Sequence, residues 1–96
     1  MKKGQESPWG QIQEVVDHGQ GILTVYTASH GGVYVPPELL QRIPTAERNF
    51  AARWSHGWGE CWFEEDCAAI SPTFHFNLMP DKTDKVKVWY EQQKWE

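Results

Sequence analysis

The sequence predicts an α+β fold, in which an N-terminal antiparallel β-meander is packed by two or three short helices. Three observations lead to this class. Segments rich in β-branched and aromatic side chains dominate the first third of the chain. Glycine pairs separate those segments, and prolines followed by helix-forming residues dominate the remainder.

The meander consists of three predicted strands. Ile12, Val15 and Val16 precede the turn sequence Gly19-Gln20-Gly21, and residues 22–27 are rich in β-branched and aromatic side chains, which indicates a second strand. The pair Gly31-Gly32 then leads into a third strand over residues 33–35. Short strands joined by glycine turns favour antiparallel pairing between neighbours.

Two short helices are predicted in the middle of the chain. Pro36-Pro37 favours a helical first turn, so a helix is expected over residues 38–42. Pro44 ends it, because the residue before a proline is pushed out of the α region. Thr45 is the predicted N-cap of a second helix over residues 46–54, with Phe50 and Trp54 on one face.

The second half of the chain is less regular. Residues 61–63 fit either a strand or a loop. The carboxylates of residues 64–66 are interpreted as the first turn of a helix, which Pro72 restricts to a few turns. Residues 83–95 alternate in part as a strand would, but Val86, Trp89 and Tyr90 share a helical face, and helix is preferred.

Length and charge restrict the classes of protein. The 96 residues, 40% of them hydrophobic, are expected to form one domain over 1–96, with residues 1–8 frayed. Nine Lys and Arg residues face 13 Asp and Glu residues, for a net charge of −4. This balance argues against direct nucleic-acid binding, which depends on neutralising phosphates.

The remaining composition indicates a cytoplasmic protein without a membrane segment. No run approaches 18 apolar residues, and the N-terminus lacks the apolar region of a signal peptide. Cys61 and Cys67 are too few for a disulfide scaffold and are expected to be reduced thiols. No phosphate-binding glycine motif is present, and no cofactor is predicted.

The first candidate site is the sequence Thr27-Ala28-Ser29-His30-Gly31-Gly32. In one interpretation Ser29 and His30 form a polar corner for a ligand, a metal or proton transfer. Gly31 and Gly32 would then adopt positive φ or let a ligand approach the backbone closely. In the other interpretation the segment is a hairpin turn with a hydrogen-bonded histidine.

The second candidate site is Glu64-Glu65-Asp66-Cys67, which follows two aromatic residues. Three adjacent carboxylates repel one another, so at least one must be solvated, hydrogen-bonded or paired with a cation. A helix N-terminus would lower the pKa of Cys67, whereas the carboxylates would raise it. The alternative is a solvated acidic turn followed by a buried cysteine.

Together the two segments could carry chemistry. His30, Glu65, Asp66 and Cys67 are acceptable ligands of a divalent ion, but their spacing matches no metal motif, and no metal is predicted. Cys67 could act as a nucleophile with His30 as its base. Small papain-like peptidases carry a similar Asp-Cys pair, but their histidine follows at long range, and this chain offers only His75.

The tryptophans offer one further pattern. Trp54, Trp58 and Trp62 recur every four residues, which suggests an aromatic binding stripe. Gly57 and Gly59 make a continuous helix through them doubtful. A core built from a few large side chains is the preferred interpretation.

The chain resembles an uncharacterised family of small bacterial domains met on plasmids, prophages and other mobile elements. Members pair a T-x-S-H-G-G turn with a W-[YF]-E-E-D-C segment, and the likeness covers residues 9–76. The resemblance implies that the two motifs form one site. Its residues would be Ser29, His30, Gly31, Gly32, Glu64, Glu65, Asp66 and Cys67.

These observations favour a non-catalytic accessory protein of a mobile element that binds a protein partner. Small size, acidic charge and abundant aromatic residues suit such a role. Inhibition of a host defence complex, with the acidic cluster imitating phosphates, is one form of it. The alternative is a small hydrolase or metal-dependent enzyme centred on His30 with Glu65, Asp66 and Cys67.

Overall fold

A computed structural model describes all 96 residues and confirms the α+β fold. Its main element is a four-stranded antiparallel sheet in the order β3-β4-β5-β6. A separate two-stranded hairpin is formed by β1 and β2. The strands are β1 (Glu6–Ser7), β2 (Gly10–Gln11), β3 (Glu14–Asp17), β4 (Leu23–Tyr26), β5 (Gly31–Tyr34) and β6 (Trp62–Glu64).

The predicted meander is present as β3, β4 and β5, and β6 extends it to four strands. Residues 61–63, which fitted a strand or a loop, contribute most of β6, whose Phe63 pairs with Val33. The expectation of a frayed terminus over residues 1–8 is corrected, because Glu6–Ser7 form a strand and Ser7 is buried. The Ser7 hydroxyl donates to the carbonyl of Gly10 and closes the hairpin turn.

The chain has three α-helices. One helix, α1 (Thr45–Trp54), precedes β6, and two helices, α2 (Ile70–His75) and α3 (Thr83–Gln92), follow it. Two 3-10 segments, Pro37–Arg42 and Pro80–Lys82, precede α1 and α3. The helix predicted over residues 38–42 is therefore the tighter 3-10 form. The helical assignment of residues 83–95 is confirmed for Thr83–Gln92.

Two predicted helix starts are corrected. Pro44, rather than Thr45, occupies the N-cap position of α1, and Thr45 is the first helical residue. The Thr45 hydroxyl instead accepts a hydrogen bond from the Arg48 guanidinium. The Glu64 to Asp66 carboxylates do not form a first helical turn, because Glu64 belongs to β6 and α2 begins only at Ile70.

Pro72 lies inside the first turn of α2 rather than near its end. A proline is tolerated there because the first amide groups of a helix have no partner within it. Pro72 therefore marks the start of this helix, whereas the sequence predicts that Pro72 limits the helix at its end.

The sheet separates two hydrophobic clusters. On one face, Val33 and Phe63 pack with Phe50 and Ala51 of α1 in a cluster of ten buried residues. Successive residues of a strand point to opposite faces. The other face therefore carries Val25 and Trp62, which pack with hairpin residues in a second cluster. That cluster consists of Trp9, Ile12, Val25 and Trp62.

A buried carboxylate joins the three α-helices. Glu47 of α1 is only 4% exposed. It accepts hydrogen bonds from the Ser71 hydroxyl at 2.7 Å, the His75 Nε2 at 3.0 Å and the Tyr90 hydroxyl at 2.5 Å. Buried carboxylates of this kind are stable only when their oxygens are hydrogen-bonded. The network was not anticipated from the sequence.

No helix in the structure combines the length and the apolar composition needed to cross a bilayer.

Candidate functional site

Strand pairing brings the two sequence motifs together at one end of the sheet. In an antiparallel pair, the start of one strand lies beside the end of its neighbour. His30 immediately precedes β5, and Glu64 ends β6, where it stands opposite Gly32. The amide of Glu65 donates to the Gly31 carbonyl at 3.0 Å, which continues the pairing by one residue.

Local hydrogen bonds hold the loop that carries His30. The Thr27 hydroxyl donates to the His30 carbonyl at 2.7 Å, and the His30 amide donates back to the Thr27 hydroxyl at 3.1 Å. The backbone of this turn is therefore closed without any contribution from the imidazole. The His30 side chain is 52% exposed and stays available to a ligand.

Glu64 is the central acidic residue of the site. Its side chain is 12% exposed, and its Oε1 lies 3.9 Å from Nδ1 of His30. Its Oε2 accepts hydrogen bonds from the Asp66 amide and the Cys67 thiol, both at 3.1 Å. The expected proximity of His30 to residues 64–67 is therefore confirmed.

Four side chains place possible ligand atoms close together. One atom each from His30, Glu64, Glu65 and Asp66 can be chosen so that all four lie within 4.8 Å of one another. Carboxylate oxygens and imidazole nitrogens are ligands of divalent cations such as Zn²⁺ and Mn²⁺. The same set could also bind an organic cation through the carboxylates.

A cavity of about 410 Å³ opens beside these residues. Seven residues line it, and neither Lys nor Arg is among them. The lining residues are Trp9, His30, Trp54, His56, Glu64, Asp66 and Cys67. We refer to this cavity as the acidic pocket.

The environment of Cys67 keeps its sulfur protonated. Burial, the hydrogen bond to Glu64 and the charge of that carboxylate raise the pKa of Cys67 to about 12. A hydrogen bond from the Ala68 amide lowers the pKa, but by less than these effects raise it. No helix begins at Cys67, because α2 starts three residues later at Ile70. A nucleophilic cysteine needs the opposite shift, since the thiolate is the reactive form.

Gly31 and Gly32 permit a close approach to their backbone, but they do not adopt the positive φ that was the other expectation for them. Neither Gly31 nor Gly32 has positive φ. A Cβ on Gly32 would lie 2.4 Å from the Phe63 carbonyl oxygen and 2.5 Å from a ring atom of Trp9. On Gly31 it would lie 2.5 Å from the Val25 carbonyl oxygen. The close approach is therefore made by the protein itself, by neighbouring strands and the Trp9 ring.

The structure does not bring every predicted site residue into the pocket. Ser29 is exposed and does not line the cavity. Glu65 contributes to the ligand cluster but not to the cavity wall.

Sequence reasoning missed three pocket residues: Trp9, Trp54 and His56. Of these, Trp54 belongs to the four-residue recurrence of tryptophans, and Trp9 is the first residue of the stretch that carries the motif resemblance.

The fold and the site define a small α+β domain that carries an acidic, tryptophan-lined pocket at one end of its sheet. The chain belongs to the family described as domain of unknown function DUF7007, whose model matches residues 2–95. That match extends beyond residues 9–76, over which the motif resemblance was recognised. No curated protein and no solved structure matches the chain.

Proposed function

We propose that this domain is a non-catalytic binding module whose acidic pocket recognises a protein partner. The observation that supports the proposal is the cavity of about 410 Å³, which combines two tryptophans with two carboxylates. Binding pockets typically join apolar walls to a few polar groups that set orientation. Tryptophan is also enriched among the residues that dominate binding energy at protein interfaces.

The state of Cys67 supports binding over nucleophilic catalysis. Its thiol donates to Glu64, and its pKa is raised to about 12. At neutral pH the sulfur is therefore a hydrogen-bond donor that helps to hold Glu64 in position. In this role Cys67 orders the recognition surface.

The broader role that we propose is that of an accessory protein of a plasmid or phage. The motif resemblance described above supports it. Glu64, Glu65 and Asp66 place three carboxylates together, and the chain carries a net charge of −4. Carboxylates and phosphates are both bound by arginine through paired hydrogen bonds. An acidic surface of this kind suits inhibition of a host defence complex that handles nucleic acid.

A capture experiment tests the protein-binding role. The variant Glu65→Gln/Asp66→Asn removes two charges. It retains Glu64, because the Asp66 amide and the Cys67 thiol donate hydrogen bonds to that carboxylate. The matched control Asp81→Asn/Glu91→Gln removes two charges from exposed positions outside the pocket. Wild type and both variants are immobilised and exposed to bacterial lysate at low and high salt.

We expect wild type and control to retain a common partner at low salt and the pocket variant to lose it. Charges at an interface rim mainly affect the rate of encounter and the salt dependence of binding. Melting curves must be unchanged in the pocket variant, so that lost binding is not lost folding. Equal retention by all three proteins, or no retained partner, would contradict the proposal.

A metal-dependent enzyme is the second candidate, and one observation favours it. The ligand atoms of His30, Glu64, Glu65 and Asp66 lie within 4.8 Å of one another. Metal analysis of purified protein and melting curves with and without a chelator test this candidate. A bound divalent ion, a melting temperature lowered by the chelator and loss of both effects in His30→Ala would favour it over the binding module.

A further inference from the structure

We infer that the acidic pocket receives an arginine side chain of the partner. The inference rests on the proposed binding function and names the chemistry that the pocket recognises. Three features support it: carboxylates that pair with no Lys or Arg, a Glu64 oxygen that accepts no hydrogen bond within the protein, and tryptophans in the cavity wall.

The carboxylates in and beside the pocket have no Lys or Arg partner within the protein. The chain has nine Lys and Arg residues, but none lies within 4.0 Å of the carboxylates of Glu64, Glu65 or Asp66. Among the Lys and Arg residues, only Arg48 forms an ion pair, and its partner is Glu60, outside the pocket. Clustered carboxylates raise one another's energy, so a cation placed among them is bound favourably.

Glu64 presents one unused oxygen to this pocket. Its Oε2 is occupied by the Asp66 amide and the Cys67 thiol. Its Oε1 accepts no hydrogen bond, although the side chain is only 12% exposed, and the nearest cationic candidate is His30 at 3.9 Å. A carboxylate oxygen that accepts no hydrogen bond within the protein is free to accept one from a charged N–H group of a ligand.

The wall of the pocket favours arginine over lysine. Trp9 and Trp54 line the cavity, and Trp54 is 51% exposed. A guanidinium group is planar, stacks on indole rings and presents paired N–H groups to carboxylates, whereas a lysine ammonium is compact and strongly hydrated. Arginine can therefore use the aromatic and the acidic parts of this pocket at the same time.

Blocked tripeptides Gly-Arg-Gly, Gly-Lys-Gly and Gly-citrulline-Gly test the inference directly. Citrulline keeps the shape of arginine but has no charge. Each peptide is titrated into the full chain, and the indole N–H resonances of Trp9 and Trp54 and the amide of Asp66 are followed by NMR. We expect the arginine peptide to shift these resonances, the lysine peptide to bind more weakly and the citrulline peptide to leave them unchanged.

The charge variants identify the groups responsible. We expect Glu65→Gln/Asp66→Asn to weaken the arginine peptide at least about tenfold, because hydrogen bonds to charged groups are lost. The control Asp81→Asn/Glu91→Gln should weaken it less than about twofold, as distant exposed charges are screened. Equal weakening by both, or equal binding of citrulline, would overturn the inference.

Two further outcomes separate this inference from the proposed function. A lysate partner that depends on the pocket, together with no arginine-peptide binding, would overturn the arginine inference and leave the binding module in place. Displacement of the arginine peptide by an equimolar amount of Zn²⁺ or Mn²⁺ would overturn the inference in favour of the metal site.

Discussion

Gly32 shows how a single residue determines the shape of the site. It lies between the Phe63 carbonyl and the Trp9 ring, and an added Cβ would approach them to 2.4 and 2.5 Å. The same pairing places Glu64 opposite Gly32. A side chain at this position would separate the hairpin from the sheet and change the wall of the acidic pocket.

We therefore expect Gly32→Ala to lower the free energy of unfolding by about 3 kcal/mol, the upper part of the range for overpacking. Urea denaturation measures the change. In a Trp9→Leu background the cost of Gly32→Ala should fall by at least about 0.5 kcal/mol, since one clashing group is gone.

Gly31→Ala provides the matched comparison. Its Cβ would meet the Val25 carbonyl oxygen and not Trp9. Its cost should be the same in the wild-type and Trp9→Leu backgrounds. If the Trp9→Leu background reduced the loss of unfolding free energy equally for both alanine variants, Trp9 would not be the group that excludes a side chain at Gly32.

Cys67 carries a second prediction at the scale of the residue. Its pKa is raised to about 12 from an ordinary value of 9.0, which leaves little thiolate at pH 8. Low thiolate content slows alkylation, while the higher nucleophilicity of a more basic thiolate offsets part of the effect. In a Cys61→Ser background, iodoacetamide should modify Cys67 roughly fiftyfold more slowly than an unperturbed thiol.

The carboxylate of Glu64 contributes to this slow reaction through its hydrogen bond and its charge. Glu64→Gln should therefore increase the alkylation rate, whereas Glu91→Gln, on an exposed face of α3, should not. Mass spectrometry of timed samples measures both rates. A Cys67 that reacts as fast as a free thiol would contradict the assigned environment.

At the scale of the element, α3 is held to the rest of the domain by Tyr90. Its ring stacks on Phe74 of α2 at a centroid distance of 4.1 Å, and its hydroxyl donates to Glu47 of α1. Tyr90→Phe keeps the stack and removes the hydrogen bond. We expect a loss of about 1.5 kcal/mol, the lower end for a bond to a charged group.

Urea denaturation checks this value, with Tyr26→Phe as the control. Tyr26 is 44% exposed, so the loss of its hydroxyl should change the free energy of unfolding by less than about 0.5 kcal/mol. Equal effects of the two substitutions would show that the Glu47 network does not stabilise the helices.

The raised pKa of Tyr90 predicts that the free energy of unfolding depends on pH in the alkaline range. Burial and the Glu47 carboxylate raise the pKa of Tyr90 above its ordinary value of 10.0. Above that pH the unfolded chain loses the phenolic proton while the folded chain retains it. The stabilisation is therefore complete below pH 10 and is lost as the pH rises toward the folded pKa.

Tyr90→Phe should accordingly show a shallower loss of stability between about pH 10 and 11 than wild type. Cys61, Cys67 and Tyr34, whose pKa values are also raised, account for the decline that persists in the variant. Thermal unfolding at a series of pH values measures both slopes. Parallel slopes would contradict the raised pKa of Tyr90.

At the scale of the whole molecule, two hydrophobic clusters share one sheet. Phe63 of β6 and Val33 of β5 belong to the larger cluster. Trp62, which is adjacent to Phe63 in β6, and Val25 of β4, which pairs with Gly32 of β5, belong to the smaller one. Loss of either cluster exposes strands that the other requires. The domain should therefore unfold in a single cooperative transition.

Trp9→Ala tests this coupling, because it truncates the smaller cluster only. We expect a cost of about 3–5 kcal/mol. The urea midpoints by far-UV circular dichroism and by tryptophan fluorescence should shift together. The control Trp89→Ala, at a 42% exposed position of α3, should cost less than about 1 kcal/mol. Separate midpoints for the two probes would show that the clusters unfold independently.

The sequence by itself determined the elements that depend on local patterns. The meander follows from β-branched segments separated by glycines, and α1 and α3 follow from helical spacing and helix-forming residues. The proximity of His30 to residues 64–67 was expected because two motifs occur together in a resembling family. No local property of either segment requires it.

Only the tertiary structure decided where the acidic residues lie and what surrounds them. Pairing with Gly32 places Glu64 in a strand, so α2 begins at Ile70 instead of near Glu64. Trp9 and His56 reach the pocket from segments 21 and 26 residues from His30. Glu47 meets Tyr90 across 43 residues. Such contacts depend on which strands pair and which helices pack, and neither is encoded in the side-chain pattern of one segment.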